Sequence, residues 1–188
     1  MKYYKLMYDF QNDSDVINCT VENLDSVNRY DVEKGLNISD WDIGIKMSFE
    51  AEEGQRFSDY VANNMGWFVV TRKFKEILDK VQNFKLQFIP IEAINKATSN
   101  SYITFYLVNI CSLLDGLDLE HSKYSVFTVG EEKVLSVKVY SLKKSVVEGH
   151  QIFRLKSSSV AIFVSEELKK EIEKNRITGC DFLEVKTF

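Results

Sequence analysis

From Lys2 onward the chain alternates well enough to put Tyr4, Leu6, Tyr8 and Phe10 on one face, which predicts a half-buried strand over residues 2–10. Polarity then rises. Residues 11–66 are rich in Asp, Asn and Ser, and their apolar runs are short, as in the alternation of Ile43, Ile45, Met47 and Phe49. Loops and short strands are expected there, with one short helix over 57–65, where Phe57, Tyr60, Val61 and Met65 recur at helical spacing. Further on, Tyr102 to Leu114 is apolar and aromatic. Tyr124 to Val129 and Val134 to Tyr140 alternate like paired strands around Gly130-Glu131-Glu132, a hairpin connection. Ile152 to Leu155 adds another short strand.

The most informative pattern is an internal echo. Laid without a gap over Ala161 to Val185, Trp67 to Ile91 matches at a shift of 94 positions. Val70-Thr71 falls on Val164-Ser165, Phe74 on Leu168, Leu78 on Ile172, Phe88 on Phe182 and Ile91 on Val185, and Lys75 coincides with Lys169. Each copy reads strand, cap, helix, strand. Thr71 and Ser165 are the predicted N-caps, and Phe74, Ile77, Leu78 and Val81 share one helical face. In the second copy Glu166 and Glu167 suit the positive end of the helix, while Asn175 and Gly179 end it. A true duplication and a chance likeness between two common units both remain open. The fold class expected is α+β, with mixed sheets and a duplicated strand-helix-strand unit as its candidate feature. The expected organisation is an N-terminal acidic region over 1–66, then 67–188 with the two units at 67–91 and 161–185 flanking a hairpin-containing middle, all within one compact domain.

Composition narrows the function. Hydrophobic residues make up 45% and charged residues 28% of 188, so the chain can fold without disulfide support. Cys19, Cys111 and Cys180 are odd in number and show no Cys-x-x-Cys pair, which suggests neither a disulfide framework nor a zinc site. No secretory signal or membrane-length apolar run is apparent, and a cytoplasmic location is expected. The net charge of −4 argues against nucleic acid as a partner. Charge is unevenly spread: residues 1–60 hold thirteen acids and six bases, a net of −7, which leaves +3 for the remainder. Such a region could steer a basic partner or could be an ordinary solvated face.

Catalytic constellations are scarce. The sequence contains no Gly-rich phosphate loop, no H-E-x-x-H and no G-x-S-x-G, so no catalytic residue, metal ligand or cofactor is assigned. His121 and His150 sit in polar contexts and read as surface residues. Asp181 with Glu184-Val185-Lys186 has the E-x-K spacing by which metal-dependent nucleases hold a cation on a strand. The first copy, however, places Gln87, Pro90 and Glu92 at the corresponding positions. Cys180 reads as a small buried hydrophobe. Trp41, between Asp40 and Asp42 in an acidic loop-rich stretch, is either a plug over the core or an interface anchor.

Read in order, Tyr3-Tyr4-Lys5-Leu6, Asp59-Tyr60, Gly66-Trp67-Phe68-Val69-Val70-Thr71 with its Lys-rich helix, Phe88-Ile89-Pro90 and Tyr106 to Asn109 form a series of short signatures. Ile152-Phe153-Arg154-Leu155, Ile162-Phe163-Val164-Ser165-Glu166 and Ile177-Thr178-Gly179-Cys180-Asp181-Phe182 continue it. Their order and spacing resemble the Imm11 family of bacterial immunity proteins over nearly the whole chain. The resemblance implies an antidote that binds and neutralises a cognate polymorphic toxin and protects the producing cell. It supplies no site residues. The physical expectation is that Asp40, Trp41, Asp42, Glu50, Glu52 and Glu53 form part of a surface facing a basic toxin, because complementary charge speeds association. A metal-dependent nuclease or hydrolase, and an interaction module unconnected to toxins, are the alternatives; no oligomeric state follows from the sequence.

Overall fold

A computed structural model describes residues 1–10, 15–22, 31–38, 46–81, 85–98, 102–130 and 132–188. Along the chain run β1 (Tyr3–Tyr8), β2 (Thr20–Glu22), β3 (Lys46–Phe49), β4 (Val69–Val70), α1 (Arg72–Leu78), β5 (Leu86–Asn95), β6 (Tyr102–Ile110) and β7 (Leu113–Leu114). There follow β8 (Lys123–Val129), β9 (Glu132–Val139), β10 (Ser141–Leu142), α2 (Lys144–Val147), β11 (Ile152–Leu155), β12 (Ser158–Ser165), α3 (Glu166–Lys174) and β13 (Cys180–Thr187). The fold is α+β. One sheet has the order β2-β3-β5-β6-β4, a second the order β10-β13-β1-β12-β11-β7, and β8 and β9 form a separate hairpin.

The echo in the sequence is an echo in the backbone. Thr71 Oγ1 accepts from the Phe74 amide at 3.4 Å and Ser165 Oγ from the Leu168 amide at 3.2 Å, so both helices start on the expected caps. One turn into each helix a lysine pairs with the carboxylate four residues on, Lys75 with Asp79 and Lys169 with Glu173, both at 2.5 Å. The Lys75 ammonium also lies 4.7 Å from the Phe88 ring and 5.5 Å from that of Tyr106. Lys169 lies 5.2 Å from Tyr4 and 5.3 Å from Phe182.

Register completes the match. Tyr106 of β6 pairs with Val70 and Pro90, and Tyr4 of β1 pairs with Val164 and Glu184, each partner 94 positions on. The N-terminal strand therefore fills in the second sheet the slot that β6 fills in the first. Parallel neighbours correspond as well, with Met47 opposite Ala93 and Leu142 opposite Thr187. The face expected from the alternation enters the central core, with Leu6 buried and Tyr4 and Tyr8 packed beside it. β1 lies between β12 and β13; on its other face Tyr3 is buried in the core behind the sheet, while Lys5 and Met7 are only partly covered. Phe10 lies beyond the strand end and is 82% exposed.

Residues 57–65 form no helix. Tyr60 bridges Val70 as Ile152 bridges Val164, so the segment takes the place that β11 takes in the other sheet. Its backbone groups are claimed elsewhere: Val61 N donates to Val69 O, Tyr60 N to Thr178 O, and Ala62 O accepts from Cys19 N. The Asn63 side chain donates to the carbonyls of Val61 and Trp67 and accepts from the amides of Met65 and Trp67, holding a turn that a helix would destroy. Tyr60 and Val61 accordingly point into different cores, the period of a strand.

Three apolar clusters follow from this plan. The central one lies between the helix-bearing faces and takes Phe74, Ile77 and Leu78 from one copy with Leu168 and Ile172 from the other, along with Leu6 and Val108. Behind the first sheet Met47, Ile91, Phe105 and Leu107 are covered by Ile17, Cys19 and Val32. Behind the second, Tyr3, Phe153 and Phe163 are covered by Val147 of α2 and by Leu135 and Val137 of the predicted hairpin.

A polar joint ties the copies together. The Asp59 carboxylate accepts from Thr71 Oγ1 at 2.7 Å, Lys73 Nζ at 3.1 Å and the Thr178 amide at 3.1 Å. Burial pushes its pKa up, but the hydrogen bonds from Thr71, Thr178 and Lys73 outweigh that and hold it below the usual carboxylate value. Gly179 belongs to the same joint and does not end α3, which stops on Asn175, with Arg176 left-handed at φ 52°. At φ +79° Gly179 approaches so closely that a Cβ there would lie 2.7 Å from Ser58 Cβ and 2.8 Å from Tyr60 O.

Candidate functional site

The acidic surface expected around residues 40–53 is described only in its second half; Asp40, Trp41 and Asp42 lie outside the described residues. Glu50 directly follows β3, and Glu52 and Glu53 fall within the 3₁₀ turn Ala51–Glu53. The parallel run of β3 beside β5 carries this turn to the end of the sheet where Lys96 N donates to Phe49 O. Glu50 and Glu52 are exposed, and Glu50 pairs with Lys96 at 3.5 Å. Gly54 then packs its backbone on Asp15, which pairs with Arg56 at 3.6 Å. The charge here is therefore mixed, with bases interleaved among the acids, and such exposed pairs set orientation more than stability.

Both carboxylates of the candidate metal-binding fragment, Asp181 and Glu184, lie exposed on β13. Glu184 pairs with Lys2 at 3.1 Å, and Asp181 Oδ1 accepts from its neighbour's amide, Phe182 N, at 2.7 Å. An odd and an even position on one strand face opposite ways, so these two carboxylates do not converge. Among the described residues no group of three or more His, Cys, Asp or Glu is placed to hold a metal ion. Burial pushes the Cys180 thiol up to about 12, which keeps it protonated and inert at neutral pH. His121 lies with Nδ1 2.9 Å from Asp118 Oδ2 and its ring stacked 3.8 Å from that of Phe188, near the chain end. The His121 hydrogen bond holds the Asp118 carboxyl below its usual value.

Two features escaped the sequence reading. Arg154, in the middle of the apolar strand β11, is only 4% exposed. Its neighbours Ile152, Phe153 and Leu155 are fully buried, and nothing in a run of that kind signals that a charged residue goes in with them. The second is the β8–β9 hairpin. Its inward residues cover the core, yet Tyr124, Val126, Phe127 and Val139 are all exposed, Val126 by 53%. Val126 pairs with Leu135 on the face turned toward the core, and its neighbour Phe127 lies on the opposite, outer face.

Among the described residues no helix is long and apolar enough to cross a membrane. No curated protein matches the chain. A family model for an immunity protein family, Imm11, matches residues 2–187. That match spans both copies, the hairpin between them and the N-terminal strand that completes the second sheet. The chain belongs to the Imm11 immunity protein family, and its role is that of an immunity protein.

Proposed function

We propose that the protein neutralises a cognate polymorphic toxin in the cytoplasm of the producing cell by tight binding, without turnover and without a cofactor. The surface we assign to the toxin comprises Asp40, Trp41, Asp42, Glu50, Glu52 and Glu53. The observation that carries this reading is the exposure of Glu50 and Glu52 around a 3₁₀ turn at the end of β3, in the most acidic third of the chain. Many toxins directed at nucleic acid are basic, and an acidic face raises the association rate of such a toxin when the antidote must act before damage is done. Interleaved Lys96 and Arg56 add register to the attraction.

The partner is found by pull-down from the native host; a co-purifying protein that kills cells alone and not beside this chain establishes the pairing. The surface is then tested by surface plasmon resonance with Asp42, Glu52 and Glu53 together changed to Lys. Association slows at least tenfold at low salt and its salt dependence flattens. Unchanged kinetics would remove the patch. A second reading of the surface is favoured by the outer face of the hairpin, where Phe127 is exposed. Phe127→Ser would then raise the dissociation rate while leaving the salt dependence alone.

A further inference from the structure

Position 154 can be judged against its counterpart. Val164 pairs with Ile152 and Val70 with Tyr60, so two residues further along each strand Arg154 corresponds to Ala62. The scaffold stands with a methyl group there, and its need for a strand does not explain an arginine. The guanidinium is buried, and Nη1 donates to the carbonyls of Ser159 at 2.6 Å and Val160 at 2.8 Å, which the register shift after Arg154 leaves available. Nε is buried with no hydrogen-bond partner among the described residues. An arginine keeps its proton at neutral pH, so this N–H cannot be relieved by deprotonation. A buried charged donor left unpaired is strongly disfavoured.

Beside it lies a cavity of about 210 Å³, far larger than the ~10–15 Å³ that one water requires. Lys5, Glu33 and Arg154 line it with apolar residues such as Leu6, Phe68 and Ile162, and with Val160, which is 68% exposed. Two bases against one acid leave a single positive charge, and no ion pair joins Glu33 to Arg154. With Nη1 engaged and Nε closed to a water-sized molecule, Nη2 is the donor of the guanidinium that remains, and a carboxylate oxygen meets it with a charge-assisted hydrogen bond. A doubly charged phosphate would leave a negative charge against an apolar wall and against Glu33.

We propose that this cavity is a carboxylate-binding site: the guanidinium of Arg154 receives, through Nη2, the carboxylate of a ligand whose short apolar tail lies on Leu6, Phe68 and Ile162. The proposal does not rest on the toxin-binding reading, because it concerns the chain alone. The test is a titration of the ¹⁵N-labelled protein with sodium butyrate at constant ionic strength, following the Arg Nε–H resonance that is absent in Arg154→Lys. Butyrate shifts that resonance saturably in the millimolar range and raises the melting temperature. Arg154→Lys loses the second effect while keeping native circular dichroism. Should Arg154→Lys fail to fold, Glu33→Gln serves instead; removing the opposing charge tightens butyrate binding severalfold. No saturable shift, or the same shift with chloride alone, would overturn the proposal. Adding butyrate to the toxin-binding assay separates the two sources of the carboxylate. Competition identifies an acidic side chain of the toxin, and unchanged toxin affinity identifies a free small molecule.

Discussion

Residues 67–91 and 161–185 agree wherever the sheet and helix must be joined. A hydroxyl caps each helix, a lysine lies between two aromatic rings with a carboxylate one turn on, and the central strand pairs in the same register. They differ wherever the unit meets something outside itself. Lys85 stands where the second copy has Gly179 and Pro90 where it has Glu184; just outside the two units, Ala62 holds the sheet position that Arg154 holds in the other. Pro90 lies short of the stretch of β5 that β3 covers, a position where a missing backbone donor is tolerated. Agreement therefore marks what the fold requires, and departure marks the joint between copies and the cavity beside Arg154.

The sharpest way to break this comparison is to remove one copy's contribution to the central core. Phe74 and Leu168 are corresponding positions, 0% and 3% exposed, and both enter the same cluster. Phe74→Ala should lower stability by about 3–5 kcal/mol and Leu168→Ala by about 2–5 kcal/mol. Because the cluster is shared, each variant should unfold in one transition, with circular dichroism and tryptophan fluorescence superimposing on a urea melt. A biphasic melt of Phe74→Ala, with a second sheet outlasting the first, would show two independently folding units instead.

What was legible in the sequence follows the same division. The caps at Thr71 and Ser165, the helical faces and the hairpin at Gly130 depend on residues close together in the chain, where periodicity and turn chemistry act directly. The place of β1 was not legible. It joins strands more than 150 positions away, and alternation alone does not name the strands it will lie between. The helix expected over 57–65 failed because Asn63 and a long-range pairing with Val69 and Thr178 claimed its backbone. Of the proposed toxin surface, the exposure of Glu50 and Glu52 was foreseeable from polarity. Their setting among Lys96, Arg56 and Asp15 depends on the parallel pairing of β3 with β5, which no local pattern encodes.

The joint offers the next test. Gly179→Ala adds a Cβ against Ser58 and the Tyr60 carbonyl at a left-handed residue, and should lower stability by roughly 2–4 kcal/mol in the same urea melts. Gly130→Ala is the control. It shares the left-handed backbone, at φ +61°, but a Cβ there meets nothing within 4 Å, so the loss should be about 1–2 kcal/mol. Equal losses would mean that the close approach of the two copies at Gly179 is not what requires glycine there.

Asp59 gives the smallest of these effects and the one that depends on pH. Its side chain bonds to Thr71 of one copy and Thr178 of the other, and its pKa is held below the unfolded value of about 3.9. The unfolded state thus takes up a proton before the folded state does. The carboxylate's contribution is fully present above that unfolded value and is lost as pH falls through the lower folded one. Asp59→Asn keeps the shape and one acceptor oxygen, so at pH 7 it should cost about 1–2 kcal/mol, toward the low end because Lys73 is half exposed and screened. Measured from pH 7 down to below 3, the gap between wild type and variant should close as the acid limb is reached, since protonation makes the native carboxyl as neutral as the amide. A constant gap across that range would show that Asp59 joins the two copies by shape alone, with its charge contributing nothing to the contact.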